Sequence, residues 1–200
     1  MLSPLEKKRI FEIDRVKLPI VFDSNKILEE IRKLNLETFE YYDVLPLRAP
    51  AYLVDTSLPF PAPVGDYADG SWTEWMDTKT FQGCPYINEV VNTFKQHTTV
   101  NLVRILRLSG NSVVKEHTDP TLALEEEKSM IRLTIPVTHN PECQFILNGR
   151  LVDMKPGECW YLKLNDPHKV INEGNSERIN LTIDLIPNKW IVDLIYKSIG

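Results

Sequence analysis

The chain is 200 residues long, enough for one domain with a substantial core and short for two. Apolar residues make up 42% and charged residues 26%, as in an ordinary globular protein, and a formal charge of −5 argues against a nucleic-acid partner, since phosphate binding needs a basic face. No run approaches the ~18 apolar residues that cross a bilayer. Residues 1–10 also carry charge without the apolar stretch of a signal peptide, so no membrane partner and a cytoplasmic location are expected. Cys84, Cys143 and Cys159 are odd in number and form no C-x-x-C pair, which predicts three reduced, mostly buried thiols.

In chain order, Asp23 and Ser24 form a helix cap followed by Ile27, Leu28, Ile31 and Leu34 at helical spacing. Residues 39–47 read as one or two short strands ending at proline-bearing turns. Residues 56–84 hold Pro59, Pro61, Pro63, Gly65, Gly70 and Gly83 among Trp72 and Trp75, and read as a long loop that could serve as a lid. A second helix starts at Pro85, with Ile87, Val90, Val91 and Phe94 on one face. From residue 100 the pattern turns to strands, at 100–108, 112–115, 129–138, 144–147, 150–154, 159–163, 169–172 and 179–186. Asn148 and Gly149 mark a two-residue hairpin, because a type I′ turn needs positive φ at both positions. Eight short antiparallel strands predict a two-sheet barrel or jelly roll over 100–186. Residues 1–99 are expected as helical and loop support and 187–200 as a closing helix, all within a single domain.

Two of the four histidines sit in suggestive company. In an extended segment residues i and i+2 point the same way, so His117 and Asp119 can present an imidazole and a carboxylate to one ion. His168, 51 residues later, completes the set if the sheet folds back. Two histidines and a carboxylate are the facial triad of non-haem iron(II) oxygenases. Such a triad leaves room for a bidentate 2-oxo acid and one O2. Alone, H-x-D is weak, since a surface histidine near an aspartate gives the same letters. The strand beginning at Arg178 strengthens it: Arg178, Asn180, Thr182 and Asp184 share one face, and Ile179, Leu181, Ile183 and Leu185 the other. Arg132 and Thr134 oppose Ile131, Leu133 and Ile135 in the same manner. Arginines on polar strand faces suit a dicarboxylate, because guanidinium meets a carboxylate through two parallel hydrogen bonds. His97, at a helix end, and His139, in a turn, read as surface residues. Arg48 reads either as a grip for a substrate carboxylate or as a plain surface arginine. Asp55, Asp66, Asp69, Glu74 and Asp77 make the 56–84 region and its flank acidic.

The segments EHTDP (116–120), RLTIPV (132–137), NG (148–149), MKPGECW (154–160), NDPH (165–168), NEG (172–174) and RINLTID (178–184) occur in order. Together they resemble the aspartyl/asparaginyl β-hydroxylase family, which includes small bacterial hydroxylases of free proline. The resemblance implies a mainly β, cupin-like double-stranded β-helix core with flanking helices. It also implies Fe(II) held by His117, Asp119 and His168, with 2-oxoglutarate as cosubstrate anchored by Arg178, O2 as oxidant, and Arg132 near the cosubstrate. The animal members have glycine where this chain has Asp119. That departure favours a free amino acid as substrate over an aspartyl or asparaginyl residue in a peptide. Two other classes share the barrel: a cupin-like metalloprotein with non-redox chemistry, and a ligand-binding module with an inactive site.

Overall fold

The computed structural model describes residues 8, 10–34, 42–61, 70–126 and 128–199. These residues form eleven strands in two antiparallel sheets, of which the last eight build a jelly roll. They are β4 (Val100–Leu108), β5 (Ser112–His117), β6 (Ile131–Pro136), β7 (Cys143–Leu147), β8 (Arg150–Leu151), β9 (Glu158–Leu162), β10 (His168–Asn172) and β11 (Arg178–Leu185). The chain passes back and forth between a sheet containing β9-β6-β11-β4 and a smaller sheet ordered β5-β10-β7-β8. This alternation is the double-stranded β-helix that the family resemblance implied. The β7–β8 turn is the expected one: Asn148 and Gly149 have φ of 51° and 69°, and Leu147 pairs with Arg150.

The larger sheet is extended on both flanks by strands from the N-terminal part. β1 (Arg15–Val21) pairs with β9, while β2 (Tyr42–Pro50) pairs with β4 and in turn with β3 (Trp75–Asp77). This corrects three expectations. First, residues 1–99 are not only helix and loop. Second, β2 does not stop at its prolines but runs through Pro46, with a register shift before Arg48. Proline fits there because β3 pairs only with Arg48–Pro50, so no ladder on that side needs the missing N–H. Third, the 56–84 loop gives way to β3 and to the short helix α3 described below; Asp66, Asp69 and part of the proposed lid, at 62–69, lie outside the described residues. The start of the predicted 39–47 strand, at 39–41, lies outside them too.

Helix α1 (Ser24–Lys33) begins as predicted, with the Asp23 carboxylate accepting from the N–H groups of Asn25 and Lys26. A one-turn α2 (Ala51–Val54) follows β2, and α3 (Lys79–Gln82) leads into α4 (Pro85–Lys95). Cys84, before α4, makes no side-chain cap. The buried Glu30 of α1 supplies it instead, accepting from Tyr86 N–H at 2.7 Å and Ile87 N–H at 2.9 Å. Burial and the nearby Glu30 carboxylate push the Cys84 thiol up to about 11, consistent with an inert buried thiol. Helix α5 (Lys189–Lys197) closes the chain, capped by the Asn188 side chain.

The apolar residues of α1, α4 and α5 cluster with Ile131, Leu133, Ile135, Ile179, Leu181, Ile183 and Leu185 from one face of the larger sheet. The opposite face is therefore free to look into the barrel. There a smaller cluster of Leu108, Phe145, Leu147, Leu162, Leu164 and Val170 packs between the sheets. Gly157 (φ 82°) joins β1 to this frame: its carbonyl accepts from Phe22 N–H, and a Cβ there would lie 2.2 Å from the Phe22 carbonyl oxygen. All three cysteines are free, with Cys84 and Cys159 buried and Cys143 half-buried. Among the described residues no helix is long and apolar enough to cross a membrane.

Candidate metal centre

The site starts from one cross-strand pair. β5 runs to His117, two residues further than its sequence suggests, and His168 opens β10; the two residues are direct partners in the antiparallel ladder. Their ring centroids are 4.2 Å apart. Asp119 lies just beyond the end of β5, where its N–H donates to the Leu164 carbonyl at 2.8 Å. One ligand atom from each of His117, Asp119 and His168 lies within 4.8 Å of the other two.

The tautomers suit a metal. Nδ1 of His117 lies 2.8 Å from the Lys115 carbonyl, and Nδ1 of His168 lies 3.0 Å from the Asp166 carbonyl. A carbonyl only accepts, so each Nδ1 carries the proton and each Nε2 keeps its lone pair. Burial pushes the pKa of His168 below its ordinary value, which keeps the ring in the neutral form that a metal needs. Two imidazole nitrogens and a carboxylate oxygen are a donor set that fits iron(II).

The same three residues line a cavity between the sheets together with Arg132, Thr134, Phe145, Arg178, Asn180 and Thr182. The alternation read from β11 thus holds: its polar face looks into the cavity and its apolar face into the helix-covered core. Arg178 stands over the Phe145 ring at 5.6 Å, and with the Asn180 amide oxygen turned toward it, that oxygen accepts from both terminal guanidinium nitrogens at 2.8 and 2.7 Å. Phe145 in turn stacks on His168 with centroids 5.9 Å apart, bridging the histidine and the arginine. Nothing in the sequence distinguished Phe145 from any other strand residue.

Arg132 lines the cavity, but its guanidinium is engaged by protein carboxylates. Nε and Nη2 donate to the two oxygens of Asp184 at 2.7 and 2.8 Å, and Nη1 donates to Asp119 Oδ2 at 2.9 Å. Arg48 is bound to Asp77 at 2.6 Å and to the Val100 carbonyl, away from the cavity lining, so it ties β2 to β3 and β4. His97 is exposed and stacks on Trp190, and His139 is exposed; neither joins the metal group.

A family model for aspartyl/asparaginyl beta-hydroxylase matches residues 68–187, more than half of the chain. The chain belongs to the aspartyl/asparaginyl β-hydroxylase family. Among curated relatives, it is 30% identical to an L-proline cis-4-hydroxylase of Rhizobium meliloti (strain 1021) over 54% of this chain and 37% of the relative. It is 25% identical to L-proline cis-3-hydroxylase 1 of a Streptomyces species over 60% of this chain and 41% of the relative. The chain thus spans less than half the length of either relative. Among solved structures, an oxidoreductase of the 2OG-Fe(II) oxygenase family from Burkholderia pseudomallei superposes with a TM-score of 0.57 at 14% identity, covering 90% of this chain and 87% of the other. HygX of Streptomyces hygroscopicus, with iron bound, gives 0.52 at 11% identity, covering 94% and 88%. At these identities the structural likenesses establish the jelly-roll fold, and this family member shares it.

Proposed function

We propose that the chain is an iron(II)- and 2-oxoglutarate-dependent dioxygenase that hydroxylates a free amino acid. One observation carries the reading: the ligand atoms of His117, Asp119 and His168 converge within 4.8 Å in a cavity that Arg178 also lines. The relatives named as proline hydroxylases support a small amino acid as substrate. Neither the non-redox cupin-like reading nor the inactive-module reading has a use for Arg178 beside a complete triad.

His117 and His168 would hold the ion through Nε2, and Asp119 through a carboxylate oxygen. When bound, ferrous iron supplies the activation of O2, coupled to oxidative decarboxylation of 2-oxoglutarate. The balance is substrate C–H, 2-oxoglutarate and O2 giving substrate C–OH, succinate and CO2. Arg178 offers two parallel donors to the far carboxylate of the cosubstrate, and Asn180 holds the guanidinium in position. Phe145, Leu106, Leu108, Val114, Leu164 and Val170 keep the cavity apolar between these polar groups. A dry cavity limits side reactions of the oxidant with water and protein. Three free thiols fit a reducing compartment, and we place the protein in the cytoplasm.

Anaerobic titration with iron(II) and 2-oxoglutarate tests the cofactor assignment; a visible metal-to-ligand charge-transfer band is expected. Succinate release is then measured over a panel of free amino acids, L-proline included, with short peptides as controls. Hydroxylated product stoichiometric with succinate from a free amino acid is the expected result. Absence of the band would end the dioxygenase reading, and turnover of peptides alone would end the free-substrate reading.

A further inference from the structure

We propose that Arg132 is a positioning residue for the Asp119 carboxylate, and that Asp184 fixes Arg132 for that task. The inference rests on His117, Asp119 and His168 being the metal ligands. Asp119 differs from the two histidines in how it is held. His117 and His168 belong to a strand ladder, whereas Asp119 follows the end of β5, where its N–H donates to the Leu164 carbonyl and its own carbonyl accepts from Leu122 N–H in a turn. Its side chain needs support from elsewhere.

That support comes from the opposite sheet. Arg132 and Asp184 are direct cross-strand partners on β6 and β11, both on the cavity face. The Asp184 side chain is 2% exposed, so its charge is stable there only when neutralised and hydrogen-bonded. Nε and Nη2 of Arg132 meet its two oxygens as a parallel fork, which fixes the guanidinium plane. The remaining terminal nitrogen, Nη1, then lies 2.9 Å from Asp119 Oδ2. With Oδ2 held by Arg132, the other carboxylate oxygen of Asp119 would be left for the ion. Lysine could do this only in part, because a point ammonium has no second edge to present. Arg104 also reaches Asp184, at 3.5 Å, so the buried carboxylate keeps a cation when Arg132 is replaced.

The test uses cobalt(II), an oxygen-stable probe, with affinity measured by calorimetry and the melting temperature of each metal-free protein recorded alongside. Arg132→Gln is expected to weaken cobalt binding 10- to 100-fold, the usual cost of removing a hydrogen-bond partner of a metal ligand. In an Asp119→Ala background the same substitution should have no further effect, because Arg132 acts through Asp119. Asp184→Asn should weaken binding less, and should add nothing to Arg132→Gln. Unchanged affinity in Arg132→Gln, or an equal loss with and without Asp119, would overturn the proposal. Should Arg132→Gln fail to fold, Arg132→Lys goes through the same cycle, with partial loss expected only when Asp119 is present. A wild-type protein that binds no cobalt, or whose affinity survives His117→Ala, would sink the ligand assignment itself.

Discussion

His117 and His168 face each other across the β5–β10 ladder, 51 residues apart in sequence and 4.2 Å apart between ring centroids. The metal centre is therefore a consequence of strand register. A slip of one residue in β10 would turn His168 to the other face of the sheet and dismantle the triad. The register is held on the far side by β7, where Leu147 pairs with His168 and Phe145 with Val170. The Asn148–Gly149 turn fixes where β7 ends.

The first prediction concerns the buried histidine. His168→Ala should lose stoichiometric iron(II) binding and all 2-oxoglutarate-dependent turnover. His97→Ala should keep both, since His97 touches Trp190 and not the site. Iron content after anaerobic loading and desalting checks the pair. Full loading of the His168 variant would remove it from the ligand set.

A second prediction isolates the cosubstrate anchor. Arg178→Ala removes a charge-assisted carboxylate contact worth ~1.5–3 kcal/mol, which corresponds to roughly a 10- to 150-fold rise in KM for 2-oxoglutarate. Arg178→Lys should recover only part of this, lacking the planar fork. Metal affinity should stay at the wild-type level in both. If Arg178→Ala leaves the 2-oxoglutarate dependence unaltered, the far carboxylate is held elsewhere.

Much of this site was legible because the sequence pattern and the geometry share one cause. β11 has a wet cavity on one side and packed helices on the other, so its polar and apolar residues alternate visibly. What stayed hidden were contacts made across long sequence separations. An arginine on a polar strand face is visible at position 132, but not that it turns to Asp184, 52 residues away, and to Asp119. Nor does the sequence show that Glu30 caps a helix start 56 residues downstream. β1 was missed for a local reason. Pro19 masks the alternation of Val16 and Leu18, and a proline is tolerated because β1 is an edge strand whose ladder to β9 shifts between Lys17 and Val21.

The third prediction follows from that cap. Glu30→Ala leaves the N–H groups of Tyr86 and Ile87 without their acceptor at a helix start, costing about 1–3 kcal/mol. Chemical denaturation should show the loss as a lower midpoint. The melting temperature should fall by roughly 2–4 °C per kcal/mol for a chain of this size. Cobalt affinity should not move, because Glu30 lies among α1 and α4 and lines no part of the metal cavity. Unaltered stability would show that the two N–H groups find other partners.

The fourth prediction is a pH dependence centred on Asp14. Its carboxylate accepts from Arg15 at 2.9 and 2.8 Å, from Arg150 at 3.0 Å and from Asn148 at 3.2 Å, joining the start of β1 to the β7–β8 turn. Hydrogen bonding from Arg15, opposed by burial and aided by Asn148 and Arg150, holds its pKa well below the ordinary carboxylate range. A depressed folded-state pKa stabilises the fold above the unfolded value, near 3.9, and that stabilisation is lost as pH falls toward the folded value. Asp14→Asn should therefore cost about 1–2 kcal/mol at pH 7, the lower end reflecting the exposed Arg150 partner. The gap between wild type and variant should narrow steadily below pH 4. Urea denaturation of both proteins at pH 7 and pH 3 measures the two gaps. A gap that stays constant with pH would mean that the Asp14 charge contributes nothing beyond the shape of its side chain.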